Sequence, residues 1–233
     1  MAAKQTQFAF ISDVHSNLEA LRAVLDQVGD RPLYCLGDVV GYGASPNEVV
    51  DLLREKKATS VLGNHDLAAL TIDPAGFNSR AAIAVVWSSR HLSDENKQYL
   101  AGLPRNRTVG LAGERVYMTH GSPDDNLGEY VYLNTHSDLF DFYLGKLSVR
   151  AIALGHTHVP FAWSDAKGVV FNPGSVGQPR DGDSRASYAI MSVNGGKVEV
   201  EHRRVDYDIQ ASARKIIEAG LPPTLAGRLF TGN

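Results

Sequence analysis

Residues 8–38, FAFISDVHSNLEALRAVLDQVGDRPLYCLGD, decide the fold class. They open with an apolar run, FAFIS, and close with another, LYCLGD. Between them Leu18, Leu21, Leu25 and Val28 recur at helical spacing. Ser16 or Asn17 can cap that helix, and Gly29 can end it. The unit then repeats. SPNEVVDLLREKK (45–57) predicts a second helix, with Ser45 as N-cap, Pro46 at N1 and Glu48 at N3 forming a capping box. SVLGNHD (60–66) supplies a third strand. This β-α-β-α-β order favours a parallel sheet with helices packed on it.

Further out, residues 78–103 keep a helical pattern. Ile83, Val86 and Trp87 share one face and are expected in the core, Ser93 caps a second helix, and Gly102 with Pro104 stops it. Strands dominate thereafter: RVYMTH (115–120), RAIALGH (150–156), GVVFNPG (168–174), SYAIMSV (187–193) and KVEVEHRRV (197–205). VNGGK (193–197) joins the last two as a hairpin. DIQASARKIIEAG (208–220) reads as a helix and LPPTLAGRLF (221–230) as a shorter appendage. With no repeat or linker, one α/β domain is expected over residues 1–233, with a helical appendage from about 208. Strands following an α/β half imply a second sheet packed on the first.

Composition narrows the function classes. The 43% hydrophobic and 21% charged residues are an ordinary globular balance. A net charge of −3 without a Lys/Arg block argues against a nucleic-acid or membrane surface. Cys35 is alone, so no internal disulfide forms, and its apolar run makes it a small packed hydrophobe. Neither a signal-type apolar region nor a run of about 18 apolar residues occurs, and a cytoplasmic location is expected. Self-association is left open.

The chemistry gathers where strands end. FAFISDVH finishes in Asp13 and His15, LYCLGD in Asp38, and SVLGNHD in Asn64, His65 and Asp66. RVYMTHG brings His120, and AIALGHTH brings His156 and His158. Any one of these would serve as a turn, cap or hydrogen-bonded histidine. Together they matter, because the carboxyl ends of parallel strands collect along one edge, where ligands bind. Carboxylate, amide oxygen and imidazole without thiolate suit manganese, iron or zinc. They exceed the roughly three protein ligands of a single catalytic zinc, whereas two metals sharing a carboxylate would use them. Gly37, Gly63 and Gly155 each precede a polar group, where the chain needs φ > 0 or close approach.

As a set, Asp13-Val14-His15, Gly37-Asp38, Gly63-Asn64-His65-Asp66, His120-Gly121 and Gly155-His156-Thr157-His158 resemble the five motifs of the calcineurin-like metallophosphoesterases, in family order over roughly residues 7 to 175. NPGSVGQPRDGD (172–183) is similar to the small bacterial and archaeal phosphodiesterase-type members. The resemblance implies a four-layer α/β/β/α sandwich of two packed mixed sheets and a two-metal site. It implies Asp13, His15 and His158 on one divalent ion, Asn64, His120 and His156 on the other, and Asp38 as bridge. Manganese is the first choice, with iron, zinc or nickel as alternatives. By the same resemblance a hydroxide shared by the ions attacks phosphorus, His65 acts in protonated form as general acid, and Asp66 orients His65.

One departure is informative. Protein phosphatases of this family carry Asp-Arg-Gly after the Gly-Asp motif, their arginine gripping phosphate. Here GDVVGYG (37–43) has Gly41 and Tyr42 instead, which argues against phosphoprotein substrates. Arg180, in GQPRDG, is the candidate phosphate-binding cation from another loop. His91, His136 and His202 match no motif and are expected to be structural or solvent-facing. The expected activity is a phosphodiesterase on a small phosphorylated molecule, with phosphomonoesterase or dinucleoside polyphosphate hydrolase as alternatives. A non-catalytic scaffold, as in one retromer subunit, would be expected to have lost ligands or the substrate histidine. This chain keeps all eight.

Overall fold

A computed structural model describes residues 6–134 and 137–233; His136 lies outside the described residues. β1 (Thr6–Ile11), β2 (Leu33–Cys35) and β3 (Thr59–Ser60) run parallel, with Ile11 beside Cys35 and Cys35 beside Ser60. α1 (Leu18–Val28) and α2 (Pro46–Glu55) make the crossovers. Asn17, not Ser16, caps α1: its side-chain oxygen accepts from the Ala20 amide at 3.2 Å, and Gly29 leaves the helix at φ +61°. The capping box expected at Ser45 does not form. Ser45 stands at the N-cap of α2 but makes no side-chain cap bond; its amide donates to the Ser16 carbonyl at 3.1 Å, tying it to the neighbouring loop.

Among the described residues there are two five-stranded mixed sheets. The first has the order β10-β9-β1-β2-β3, the second β4-β5-β6-β8-β7. The last hairpin, β9 (Ala186–Asn194) and β10 (Lys197–Val205), returns to the first sheet, where β9 pairs antiparallel with β1. Gly195 and Gly196 turn it at φ +56° and +84°, the paired positive values a two-residue hairpin needs. The second sheet contains β4 (Asn106–Leu111), β5 (Glu114–Thr119), β6 (Ala151–Ala153), β7 (Phe161–Ser164) and β8 (Val169–Asn172).

Alternation along β1 sets the layers. Phe8 and Phe10 point between the sheets, where they join Leu36, Met118, Ala153, Phe171 and Met191. Phe10 meets Phe171 edge-on at 5.1 Å. Ala9 and Ile11 point the other way, against Leu21, Leu25, Val49 and Leu53 of α1 and α2. On the far side of the second sheet, Tyr117, Ile152 and Val170 pack on Phe140, Tyr143 and Leu144 of α6 (Ser137–Leu147). The result is the expected α/β/β/α sandwich.

The helices after β3 differ from expectation. Asn64, His65 and Asp66 do not end a strand; they form the first turn of α3 (Asn64–Thr71). α4 (Ser79–His91) and α5 (Asp94–Ala101) follow, capped by the Asn78 and Ser93 side chains. The buried face of α4 is Ala81, Ala84, Val85 and Ser88, whereas Ile83 is 52% exposed and Val86 and Trp87 are half-buried. Small residues win this face because the C-terminal helices α7 (Ile209–Glu218) and α8 (Pro223–Arg228) press on Ala81 and Ala84 with Ile216, Leu225 and Leu229. Lys215 of α7 pairs with Glu19 at 2.5 Å, and the Gly182 amide donates to the Gly232 carbonyl at 2.9 Å. The segment from 208 is thus packed on α1, on α4 and on the loop around 182. No helix among the described residues is long and apolar enough to cross a membrane.

Candidate metal centre and cleft

The loop leaving β1 bonds by its backbone to that leaving β2, and the loop leaving β5 to that leaving β6, while backbone-to-carboxylate bonds tie in the start of α3 and join the two pairs. Asp13 N donates to Gly37 O and His15 N to Asp38 O, both at 3.0 Å, and Gly155 N donates to His120 O at 2.9 Å. This lacing holds Asp13, His15, Asp38, His156 and His158 at φ of +53°, +49°, +52°, +69° and +61°. Residues kept in that region cost of order 1–3 kcal/mol each and persist only where the surroundings over-determine them. Gly63 has a different reason to be glycine. Its φ is ordinary, but a Cβ there would overlap the Asp38 amide and carboxylate.

Four imidazoles are oriented from behind. Nδ1 of His15, His120 and His158 donates to the carbonyls of Val40, Leu36 and Gln178 at 3.0, 2.8 and 2.6 Å, and Nε2 of His156 donates to Gly128 at 3.3 Å. In the neutral rings those bonds leave the inward nitrogens as lone pairs. They converge. His15 Nε2 lies 3.1 Å from His158 Nε2, and His120 Nε2 lies 3.1 Å from His156 Nδ1 and 3.0 Å from Asn64 Oδ1. Asp13 Oδ1 sits 3.2 Å from His158 Nε2, buried and without a hydrogen-bond donor among the described residues. Asp38 Oδ2 faces both groups, 3.6 Å from His15 Nε2 and 3.3 Å from His120 Nε2.

Electrostatics agree with the geometry. Burial alone would raise Asp13 and Asp38, but His158 beside the first and His120 beside the second hold both well below the usual carboxylate range. Burial lowers His15 and pushes His156 down to about 4. His120 goes the other way: against its burial, Asp38 and Asp13 push it up to about 9. Ionised carboxylates and mostly neutral imidazoles, with lone pairs aimed at lone pairs, need cations between them. The donor set fits divalent transition metals.

His65 borders these groups without joining the lone-pair contacts. Its amide donates to Asp38 Oδ1 at 2.8 Å, and its Nδ1 is buried without a partner among the described residues. Rings position it: His15 at 4.8 Å, Tyr42 at 4.6 Å and Phe77 at 4.6 Å. Burial pushes its pKa down to about 4, against the pull of Asp38. Asp66 does not orient that ring directly. Its oxygens accept from the amides of Val40 and Gly63, both at 3.0 Å, fixing the start of α3 against the loop after β2.

Arg180 is half-buried and lines the same cleft, its Nη2 donating to Tyr42 Oη at 3.2 Å. Arg180 thus stands beside Tyr42, which belongs to the loop after Asp38. The cleft, of about 420 Å³, is bounded elsewhere by Phe77, Leu127 and Tyr130. Tyr130 stacks on His156 at 3.8 Å. The sequence did not mark Phe77 and Tyr130, since each lies in an irregular stretch with no periodicity. His91 bonds the Trp87 carbonyl and His202 that of Asn172; neither lines the cleft.

Gly41 gives a test of the ring cage. It has φ +94°, and a Cβ there would stand 2.5 Å from His65 Nδ1. Gly41→Ala is expected to destabilise the fold by about 1–2 kcal/mol and to lower kcat by displacing His65, with metal content kept. Denaturant midpoints, metal analysis and kcat check this; an unchanged kcat would remove the cage from the account.

Comparison with known proteins extends the picture. Residues 7–196 match the calcineurin-like phosphoesterase superfamily domain. The chain is 39% identical to the uncharacterized protein MJ0912 of Methanocaldococcus jannaschii, covering 98% of this chain and 99% of that protein. It is 28% identical to the phosphodiesterase YfcE of Escherichia coli K12, covering 78% and 85%. A crystal structure of a metallophosphoesterase from Sphaerobacter thermophilus superposes with a TM-score of 0.82 at 36% identity, covering 98% and 99%.

Proposed function

The chain belongs to the calcineurin-like phosphoesterase superfamily and is a phosphoester hydrolase, and from that premise we propose that it is a two-metal phosphodiesterase for small phosphorylated molecules. The observation that carries the reading is Asp38. Its one carboxylate oxygen faces histidines of two separate lone-pair groups, 3.6 and 3.3 Å away. Asp13, His15 and His158 would hold one divalent ion, and Asn64, His120 and His156 the other, with Asp38 between. Manganese is the first choice.

Such ions, when bound, activate water and neutralise phosphoryl charge. The chain's own residues do the rest. Backbone carbonyls behind the four imidazoles keep their lone pairs inward, which removes the need for rearrangement when a substrate arrives. His65, caged by Tyr42, Phe77 and His15, presents its ring toward the leaving oxygen. Asp38 and the phosphoester's negative charge both favour a proton on His65 against burial, and the acid role is assigned to it on its position. Arg180 supplies a cation at the rim for an anionic part of the substrate. A cleft of about 420 Å³ fits a ligand of small-molecule size.

The test is a substrate panel with the manganese-loaded protein: bis-p-nitrophenyl phosphate, p-nitrophenyl phosphate, cyclic nucleotides, dinucleoside polyphosphates and phosphopeptides. Diester turnover is expected to lead, with phosphopeptides well below the aryl esters in kcat/KM. A lead for the monoester or for the dinucleoside polyphosphate would move the assignment to that activity. Comparable kcat/KM on phosphopeptides would undo the argument from Tyr42.

A further inference from the structure

The cleft is lined in two ways. Part of it is the charged and polar set that faces a phosphate and its metals. Much of the rest is apolar: Leu67 and Phe77 from α3 and the segment after it, Leu127 and Tyr130 from the loop after β5. Phosphoryl chemistry gives these side chains nothing to do. A pocket with both kinds of lining suits a ligand with both characters, an anionic part and an apolar one.

Tyr130 joins the apolar lining to the metal-binding residues. Its ring stacks on His156 at 3.8 Å with an interplanar angle of 28°, and His156 Nδ1 lies 3.1 Å from His120 Nε2. With one face on His156 the ring is still 49% exposed. Tyr132 runs parallel to it but at 6.5 Å, and leaves the second face uncovered. A mere cover for His156 needs no such open face, and an aliphatic side chain would do as well.

The chain holds the ring in place before a ligand arrives. Val131 turns inward onto Tyr117, Phe140 and Val170, which sends Tyr130 and Tyr132 outward. The preceding turn is closed by Asp125, whose Oδ1 accepts from the amides of Leu127 and Gly128 at 3.2 and 3.0 Å. Gly121 N donates to Asn126 O at 2.7 Å, anchoring the same turn to the end of β5. The Gly128 carbonyl in turn accepts from His156 Nε2 at 3.3 Å, so the turn and the histidine under the ring are tied together. A fixed aromatic ring with a free face is the element on which nucleobases stack, whatever their sequence of donors and acceptors.

We propose that Tyr130 is a stacking platform for a nucleobase, and that the substrate is a nucleotide phosphoester whose base lies on Tyr130 while its phosphate sits among the candidate metal ligands. The identification of the substrate rests on the phosphodiesterase reading; the platform itself does not.

Two arms test this. Manganese-loaded wild type, Tyr130→Phe and Tyr130→Leu are titrated calorimetrically with the 5′-methylenephosphonate of thymidine, whose P–C bond resists hydrolysis, and with its abasic analogue. Wild type is expected to bind the base-bearing compound about tenfold tighter, a ratio kept in Tyr130→Phe and falling toward one in Tyr130→Leu. In parallel, kcat and KM are measured on thymidine 5′-(p-nitrophenyl phosphate) and its abasic analogue. The base should raise kcat/KM about tenfold, mostly through KM, and Tyr130→Leu should lose that advantage while turning over the abasic ester as wild type does. No binding or equal affinities in wild type, or a ratio that survives in Tyr130→Leu, overturns the platform. So does an equal fall on both esters in Tyr130→Leu, which would make Tyr130 only a support for His156. Should Tyr130→Leu melt early or lose metal, Tyr130→Met in the same titrations decides in the same way. A base preference in binding without one in turnover overturns the link to substrate. Turnover of neither ester would sink the phosphodiesterase reading, while the calorimetry still decides the platform.

Discussion

Asp38→Asn is expected to lower kcat by about 10³-fold or more and to cut bound metal, the largest effect of any single ligand change. The carboxylate is buried, and one oxygen faces both His15 and His120. An amide is neutral, so both proposed cations lose their shared counter-charge, worth several kcal/mol, where each 1.36 kcal/mol is a decade in rate. Asp38 Oδ1 also accepts the His65 amide, and an asparagine that turns its NH₂ there would push the start of α3 away. Metal per chain by elemental analysis, circular dichroism and kcat at limiting and saturating manganese make the test. Wild-type activity with two ions per folded chain at limiting metal would remove Asp38 from the bridging position.

His65→Gln should cost about 10²–10⁴-fold with poor leaving groups, the span general-acid catalysis typically contributes. Nitrophenolate departs with little help, whereas a ribose alkoxide needs a proton, so the loss should be clearly smaller on nitrophenyl esters. Metal content should stay near wild type, because His65 makes none of the lone-pair contacts that join His15 to His158 and His120 to His156. The measurement is kcat for both proteins across esters of graded leaving-group pKa. A uniform loss would assign His65 to holding phosphoryl oxygens. Loss of metal would place it among the ligands.

The residues of the candidate metal centre could be picked out because they follow apolar strands; the hairpin at Gly195-Gly196 was legible for an equally local reason. What failed depended on distant partners. The hydroxyl of Ser45 had a helix to cap, but its amide is drawn to Ser16. The apolar face of α4 read as Ile83, Val86 and Trp87, yet helices more than 120 residues later select its alanines. β4 and β7 are edge strands with exposed positions, which blurs their alternation. Asn64-His65-Asp66 is helical because Asp66 Oδ2 accepts the Gly63 amide, a reciprocal half-cap that the preceding apolar run disguised as a strand end.

The pairing of β1 with β9 has a consequence for biogenesis. β1 lies in the middle of its sheet, yet its antiparallel neighbour is made about 180 residues later. During synthesis the ribosome releases Phe8, Ala9, Phe10 and Ile11 long before Ala189, Ile190 and Met191 exist to cover them. Pairings of such sequence separation close slowly, because the loop entropy is lost before the contacts form. Asp13 and His15 follow directly on β1, so the nascent chain holds two of the seven candidate ligands on an unfinished strand. The strand that carries the first two candidate ligands is thus completed on both sides only once β9 has emerged, long after Asp13 and His15 themselves.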